Sequence, residues 1–333
     1  LNSPPNDSEN SVSDRLPSPR EAGTVVVCTS PKAGSGRTPH KIPQLIERLR
    51  GRGCNVIHSN DLGEIARCVE QSGPAELRAV VPAGGDGTIS LIADRLPVGT
   101  PLVPFPMGTE NLLARHFGYT SDPVAAAETI LHGTIRRFDA GRANGKLFLV
   151  MATCGFDAEV VRGMHLTRRG HIARWSYFKP IARAVRKYKY PAVYLSSQPP
   201  PESPMTMALA DRSESGSSLG VAGEEYRWVM FFNLPCYGGG LSIQPTACGD
   251  DARLDLVGLR YGSSLSTVRY VVGAWLKQHL RWKDIVQRTG REWYVWSDAR
   301  VSYQLDGDYA GRLPLQVECL PERLTLRMPT TQP

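Results

Sequence analysis

The sequence predicts a three-layer α/β domain followed by a mainly β, sandwich-like domain. Three observations carry that prediction. Between Thr24 and Leu131, short apolar or β-branched runs alternate with segments of helical spacing, the texture of a parallel sheet covered on both faces. From Ile135 the alternation stops, and strand-like segments separated by turn signals take over. Two glycine-centred turns, Gly84-Gly85-Asp86-Gly87-Thr88 and Pro106-Met107-Gly108-Thr109-Glu110-Asn111, each stand where an apolar run hands over to a helix. A chain of 333 residues, 41% hydrophobic and 21% charged, has room for both cores. The expected division is a tail over 1–22, an α/β domain over 23–134 and a β-rich domain over 135–329 whose last segment can return to the first.

Leu1 to Ala22 is rich in Ser, Pro, Asn and charge without apolar periodicity, and is expected to be disordered. Thr24 to Cys28 is the first strand. It leads into Ser30-Pro31-Lys32-Ala33-Gly34-Ser35-Gly36-Arg37, where small residues and two cations suit a phosphate contact although the pattern G-x-x-x-x-G-K-[ST] is absent. Ile42 to Leu49 has helical spacing, Asn55 to His58 reads as a strand and Leu62 to Val69 as a helix. Leu77 to Val81 is the strand before the first glycine turn, and Thr88 opens a helix over Ile89 to Leu96. Leu102 to Phe105 is strand, Pro106 to Thr109 turn and Asn111 to Phe117 helix. Asp122-Pro123, a cap followed by an N1 proline, starts a helix over Val124 to Leu131.

Beyond it, Arg136 to Arg142 and Lys146 to Thr153 pair about Asn144-Gly145. Glu159, taken on its own, reads as part of a polar turn ending that strand. Ser196 to Ser203 and Ser213 to Gly223 are loops, and Trp228 to Asn233 is a strand running into Pro235-Cys236-Tyr237-Gly238-Gly239-Gly240. Val268 to Trp282 is a helix; Glu292 to Trp296, Val301 to Leu305, Leu315 to Cys319 and Arg323 to Met328 are strands.

Glycine at 84, 85 and 87 lets backbone N–H groups approach an anion without a Cβ in the way, and the helix that follows adds the positive end of its dipole. Asp86 would repel a bare phosphate, so it calls for a divalent cation or a proton in between, as in a magnesium nucleotide site. Two such turns on neighbouring strands would flank one ligand at the carboxyl ends of the sheet. Taken alone, the first turn is equally well a tight connection. Gly238 and Gly239 suit a backbone wrapped round a head group or a strained loop. Asp250, Asp251 and Asp255 suit either a structural magnesium ion or a solvent-facing turn.

The formal net charge of +7 favours polyanionic partners: nucleotides, anionic lipid surfaces or nucleic acid. The most basic segment, Leu166 to Tyr190, interleaves its cations with Trp175, Tyr177 and Phe178, as expected of a helix lying on an anionic membrane or of a solvated helix face. No apolar run reaches the roughly 18 to 20 residues of a bilayer span. The seven cysteines include no C-x-x-C pair, so neither a disulfide framework nor a zinc site is expected, and the reading is a reducing cytoplasm. Leu1 is not an initiator methionine, which leaves a removed leader open.

Together these stretches resemble the catalytic region of the diacylglycerol kinase superfamily, which includes bacterial lipid kinases and the diacylglycerol, sphingosine and ceramide kinases. The resemblance runs from about Val25 to Arg327. Gly84 to Thr88 looks like the nucleotide-binding G-G-D-G-T, and Pro106 to Asn111 like P-x-G-T-x-N. Gly155 to Ala158 looks like the G-F-D-A close to the lipid pocket, Asn233 to Gly240 like N-x-P-x-Y-G-G-G, and Asp306-Gly307-Asp308 like the C-terminal D-G-E. What this implies is an NAD kinase/diacylglycerol kinase-like fold and ATP-dependent, Mg2+-requiring phosphorylation of diacylglycerol or a related lipid alcohol.

The resemblance also distributes roles. Asp306 is the implied general base, with Asp86 the second candidate because the sphingosine kinases use the aspartate of the glycine motif. Nucleotide contacts fall to Ser30, Gly34, Ser35, Gly36, Arg37, Gly84, Gly85, Asp86, Gly87, Thr88, Gly108, Thr109 and Asn111. Metal contacts fall to Asp86, Asp308, Asp250, Asp251 and Asp255, and substrate contacts to Gly155, Phe156, Asp157, Tyr237, Gly238 and Gly239. Asp86 and Asp306 are some 220 positions apart, so a shared site would lie in the cleft between domains, whose opening would admit substrate. The implied partners are a lipid substrate and peripheral contact with an anionic membrane surface from the cytoplasmic side; nucleic acid rests on charge alone, and the oligomeric state is open, a homodimer among the options.

The chain departs from the family pattern at four places: Ser30 for asparagine, Ser90-Leu91 for Asn-Glu, Ala252 for glycine and Asp308 for glutamate. The last shortens a carboxylate arm by about 1.5 Å. These departures keep two alternatives in view, an NAD kinase-like soluble kinase and a catalytically weak nucleotide- or lipid-binding protein of the same fold.

Overall fold

The computed structural model describes residues 23–29, 40–167, 186–199 and 223–330. The expectations for the tail, for the turn from Ser30 through Gly34, Ser35 and Gly36 to Arg37, and for most of the basic segment lie outside these residues.

Strand β1 (Thr24–Thr29) pairs in parallel with β2 (Asn55–Ser59) and β3 (Leu77–Gly84), and β3 pairs in parallel with β4 (Pro101–Leu102) and β5 (Phe105–Pro106). Val25, Val26 and Val27 are all fully buried, as a β-branched run must be when both sheet faces are covered. The covering helices are α1 (Lys41–Gly51), α2 (Leu62–Glu76), α3 (Asp86–Arg95), α4 (Leu112–His116) and α5 (Pro123–His132). Side-chain caps start two of them: Asp61 accepts from the Glu64 amide, and Asp122, with Pro123 behind it, accepts from Val124 and Ala125.

The rest of the chain supplies β6 (Thr134–Ala143), β7 (Lys146–Phe148), β8 (Met151–Cys154), helix α6 (Phe156–Thr167), β9 (Val193–Ser196), β10 (Glu224–Tyr226), β11 (Trp228–Phe232) and β12 (Leu254–Leu259). Helix α7 (Ser264–Trp275) and β13 (Ile285–Gly290), β14 (Glu292–Trp296), β15 (Ser302–Leu305), β16 (Asp308–Arg312) and β17 (Leu315–Met328) complete it. Six strands form an antiparallel sheet in the order β13-β12-β11-β8-β15-β16. The others extend the parallel sheet, in the order β10-β9-β14-β17-β4-β3-β1-β2, with β5 beside β3 and β6 and β7 beside β17. Strand β17 joins the two textures, pairing antiparallel with β14 over Leu315–Glu318 and parallel with β4 at Thr325 and Leu326. The antiparallel part of the large sheet packs on the six-stranded sheet through Phe148, Leu195, Trp293 and Val317 on one side and Phe231, Leu256 and Tyr303 on the other.

Several expected elements differ, each for a local reason. Lys146 to Thr153 is not one strand, because the amides of Leu149 and Val150 turn to the Asp306 carboxylate instead of a neighbouring strand. Glu159 is not in a polar turn but in the first turn of α6. The helix after the first glycine turn begins at Asp86 rather than Thr88, and Leu102 to Phe105 breaks into two short strands. Helix α2 continues past Val69 across a break at Gly73, where φ is 62°. Helix α7 starts early, on a Ser263/Ser266 capping box, and Lys277 at φ 56° follows its end. The last two expected strands are one, with a register shift between Leu320 and Leu324.

Candidate active site

The two glycine turns are in contact. A Cβ on Gly108 would sit 2.6 Å from the Cα of Gly85, and the Met107 amide donates to the Gly84 carbonyl at 2.9 Å. Glycine is thus required where the backbones touch. Asn111, at φ 50°, closes the second turn by accepting from the Gly108 amide at 2.8 Å and donating to the Gly108 carbonyl at 2.9 Å. Thr88 lies over Gly84, where any Cβ would collide with its side chain. Thr109 is exposed in the second turn.

Asp86 ties the turns together chemically. Its carboxylate, 7% exposed, accepts the Leu112 amide at 2.8 Å and the Leu113 amide at 3.0 Å, satisfying two N–H groups at the start of α4. Burial raises its pKa, and those amides oppose the rise. Asp86 is therefore an anchor of the second turn whatever ligand it meets.

Asp306 arrives from the other end of the chain. It follows β15 in a left-handed turn, φ 49°, and accepts from Leu149 at 2.8 Å, Val150 at 2.9 Å and Met151 at 3.0 Å. Two carboxylate oxygens offer about four acceptor positions, so three amides leave one. The residue is half-buried at the surface yet densely surrounded by protein, and this desolvation pushes its pKa up to about 7; the amides oppose the rise and the Asp86 charge adds to it. Asp308 completes the group: a Cβ on Gly87 would come within 2.7 Å of its Oδ2. The fold thus brings Asp86, Gly87, Asp306 and Asp308 to one place. Cys236 borders it, its thiol pushed up to about 11 by burial first and the Asp86 charge second.

Behind this group lies a buried polar network. Asp157 accepts from Thr153 Oγ1 at 2.5 Å, Trp228 Nε1 at 2.8 Å and Tyr237 OH at 3.2 Å. Burial raises the pKa values of both Asp157 and Tyr237. Gln304 donates to Thr153 Oγ1 at 2.9 Å and accepts the Gly307 amide at 2.6 Å, which fixes the Asp306 turn. Asp157 is thus a buried support of the site, and Tyr237 is half-buried beside it. Phe156 is buried against Tyr188, Tyr190 and Trp228. Gly155, at φ 117°, stands where a Cβ would come within 3.2 Å of the Trp228 Cα. Gly238 and Gly239 form a one-turn 3-10 segment with open space about both.

The remaining acidic residues lie elsewhere. Asp250, Asp251 and Asp255 gather around Asp139, which takes the Ala252 amide at 2.6 Å and the Glu322 amide at 2.9 Å. Asp250 pairs with Arg136 at 3.2 Å, and Asp255 accepts from Gln244 at 3.0 Å. Ala252 sits at φ 60°, which explains a preference for glycine there. Among the described residues no group of three or more His, Cys, Asp or Glu side chains is arranged to hold a metal ion. Asp86 and Asp308 nevertheless fit Mg2+ chemically, as hard oxygen donors beside a glycine turn too tight for any Cβ.

Sequence reasoning missed Gln304, Thr153, Trp228 and Asp139. Only Gln304 carried a signal, a polar residue inside a strand whose four positions are all buried, two places before Asp306. Ser90, where the family pattern has asparagine, donates to the Leu147 carbonyl at 2.7 Å and pins α3 to β7.

A glycine-rich double turn facing an aspartate from a distant β turn suits a phosphotransferase. The chain belongs to the diacylglycerol kinase catalytic-domain superfamily and is a lipid kinase. The diacylglycerol kinase catalytic domain matches residues 24–143, and the YegS C-terminal NAD kinase beta sandwich-like domain matches 151–328. The chain is 28% identical over 319 residues to a diacylglycerol kinase of Mycobacterium tuberculosis (strain ATCC 25618 / H37Rv), covering 93% of this chain and 96% of that one. It is 40% identical over 117 residues to a probable lipid kinase YegS-like of Pseudomonas aeruginosa, covering 34% of this chain and 38% of that protein. A crystal structure described as that of a diacylglycerol kinase from Bacillus anthracis str. Sterne shares the fold, with a TM-score of 0.61 at 18% identity, covering 92% of this chain and 97% of that one.

Proposed function

We propose that the chain transfers the γ-phosphoryl group of ATP to the free hydroxyl of diacylglycerol or a related lipid alcohol at a membrane surface, with Asp306 as general base. The observation that carries this reading is the Asp306 carboxylate itself: seated on three backbone amides, near Asp86, with one acceptor position left and a pKa raised to about 7. A base poised near the working pH accepts a proton most effectively.

The acceptor hydroxyl loses its proton to Asp306 as its oxygen bonds to the γ-phosphorus. The bond from that phosphorus to the β–γ bridging oxygen breaks, and ADP leaves. Asp86 fixes the second glycine turn, so that the phosphates meet the N-terminus of α3 and the glycine backbone in one geometry. Asp86 and Asp308 would hold Mg2+, which when bound neutralises phosphate charge. Gln304 orients the Asp306 turn, and Asp157 orients Tyr237.

The test is transfer from γ-labelled ATP with magnesium over mixed micelles carrying diacylglycerol, monoacylglycerol, sphingosine, ceramide or phosphatidylglycerol, with NAD as soluble control. Label in diacylglycerol that disappears in Asp306→Asn is the expected result. Label in NAD alone, or in no acceptor, would overturn the reading.

A further inference from the structure

Helix α7 buries one face and exposes an apolar one. Ser266, Thr267, Tyr270, Gly273 and Ala274 are buried against the protein. On the opposite side Leu265 is 80% exposed, Val268 52%, Val272 47% and Trp275 73%, and Leu276 continues the stripe. The spacing i, i+3, i+7, i+10 puts these side chains on one face. A contiguous exposed apolar patch marks an interaction surface.

Charge selects the occupant. Between Arg260 and Lys283 the chain has five lysines and arginines and no aspartate or glutamate. Lys277, Arg281 and Lys283 are exposed beyond the stripe, while Arg269 is engaged with Asp284 at 2.6 Å and Arg260 with Glu224 at 3.8 Å. A second copy packed on this face by a two-fold axis would set Lys277, Arg281 and Lys283 against their own copies. An anionic lipid surface instead takes the apolar stripe into its interface, and its head groups meet the cations; a tryptophan at the margin suits that boundary.

We propose that the outer face of α7 is the docking surface of this protein for an anionic bilayer. The fold gives the contact a route to the site. Thr267 on the inner face of α7 donates to Tyr190 OH at 2.7 Å, and the Tyr190 ring stacks on Phe156 with centroids 5.9 Å apart. A bilayer seated on α7 is therefore separated by this one helix from the aromatic wall next to Asp157 and Tyr237. The choice of a lipid surface as occupant rests on the proposed reaction, whereas the face itself does not.

The test uses the full chain and vesicles of phosphatidylcholine with and without phosphatidylglycerol. Binding is followed by co-flotation, and transfer is measured separately on a short-chain diacylglycerol dispersed below its micellar concentration. Leu265→Glu and Trp275→Glu should each lower binding to the anionic vesicles at least tenfold and leave transfer to the dispersed substrate unchanged. Lys277→Glu should weaken binding less and flatten its salt dependence. Variants that bind like wild type would overturn the proposal. So would a lipid-free wild-type dimer that the same substitutions dissociate, since a second copy would then cover the face. Wild-type binding lost in the variants, with no lipid ever phosphorylated, would sustain the docking surface and sink the kinase reading instead.

Discussion

Two groups of carboxylates distinguish two regions of this molecule. Around Asp139 one carboxylate has a cation, Asp250 paired with Arg136, while the Arg253 amide bonds Asp251 and amides of Ala252 and Glu322 bond Asp139. These contacts join β6, the turn before β12 and the middle of β17, so the group stitches the β-rich region to the strand that returns to the parallel sheet. Around Asp306 the donors are backbone amides, which carry no net charge, and among the described residues neither Asp86 nor Asp306 forms an ion pair. Negative charge there is held in place but not neutralised. Amides serve both groups; the first ties distant segments together and carries an ion pair, whereas Asp86 and Asp306 lie beside the glycine turns with none among the described residues.

The difference can be broken from its strongest point downward. Asp306→Asn keeps the left-handed turn, which asparagine tolerates, and removes the base. Activity in the labelled-transfer assay should fall by roughly two to four orders of magnitude, with an unchanged circular dichroism spectrum. Asp86→Ala should also abolish most transfer, but for a second reason: it leaves the Leu112 and Leu113 amides buried without acceptors. Denaturant unfolding should show a loss of about 1–3 kcal/mol; Asp306→Asn, whose Nδ2 cannot accept an amide, gives up at least one such bond and should lose less, because Asp306 is the more exposed residue. Tyr237→Phe deletes a long bond to Asp157 and leaves Thr153 and Trp228 in place. Its expected cost is less than about 1.5 kcal/mol, with a reduction in kcat smaller than that of either aspartate variant. Asp250→Ala sits at the bottom of the scale. Its exposed pair with Arg136 is expected to contribute at most about 1 kcal/mol, and steady-state transfer should be unaffected, which would place the Asp139 group outside the chemistry.

How far the sequence reaches follows the same division. The glycine turns are legible because their requirement is local: Gly85 and Gly108 must lack a Cβ, and apolar runs frame them. The caps at Asp61 and Asp122 are equally local, although only the second announces itself, through its Asp-Pro pair. Asp306 is legible only through the resemblance of its motif, since the three amides that hold it lie more than 150 positions away. Strands β13 and β16 escape the sequence reading because their burial is weak and irregular: β13 exposes three of its six residues and β16 is partly open throughout. Glu159 on its own reads as a turn residue because it is polar and follows a strand, whereas it lies in the first turn of α6 and accepts from Arg162 and Ser302.

The most direct test of Asp306 as base beside Asp86 is the pH dependence of kcat/KM for wild type and for Asp86→Asn. A base must be ionised to accept a proton, so activity should fall as pH drops through the Asp306 pKa of about 7. Because the Asp86 charge raises that pKa, removing it should move the acid limb to lower pH, however much the rate itself declines. An acid limb that stays in place in Asp86→Asn, or that persists in Asp306→Asn, would contradict the assignment.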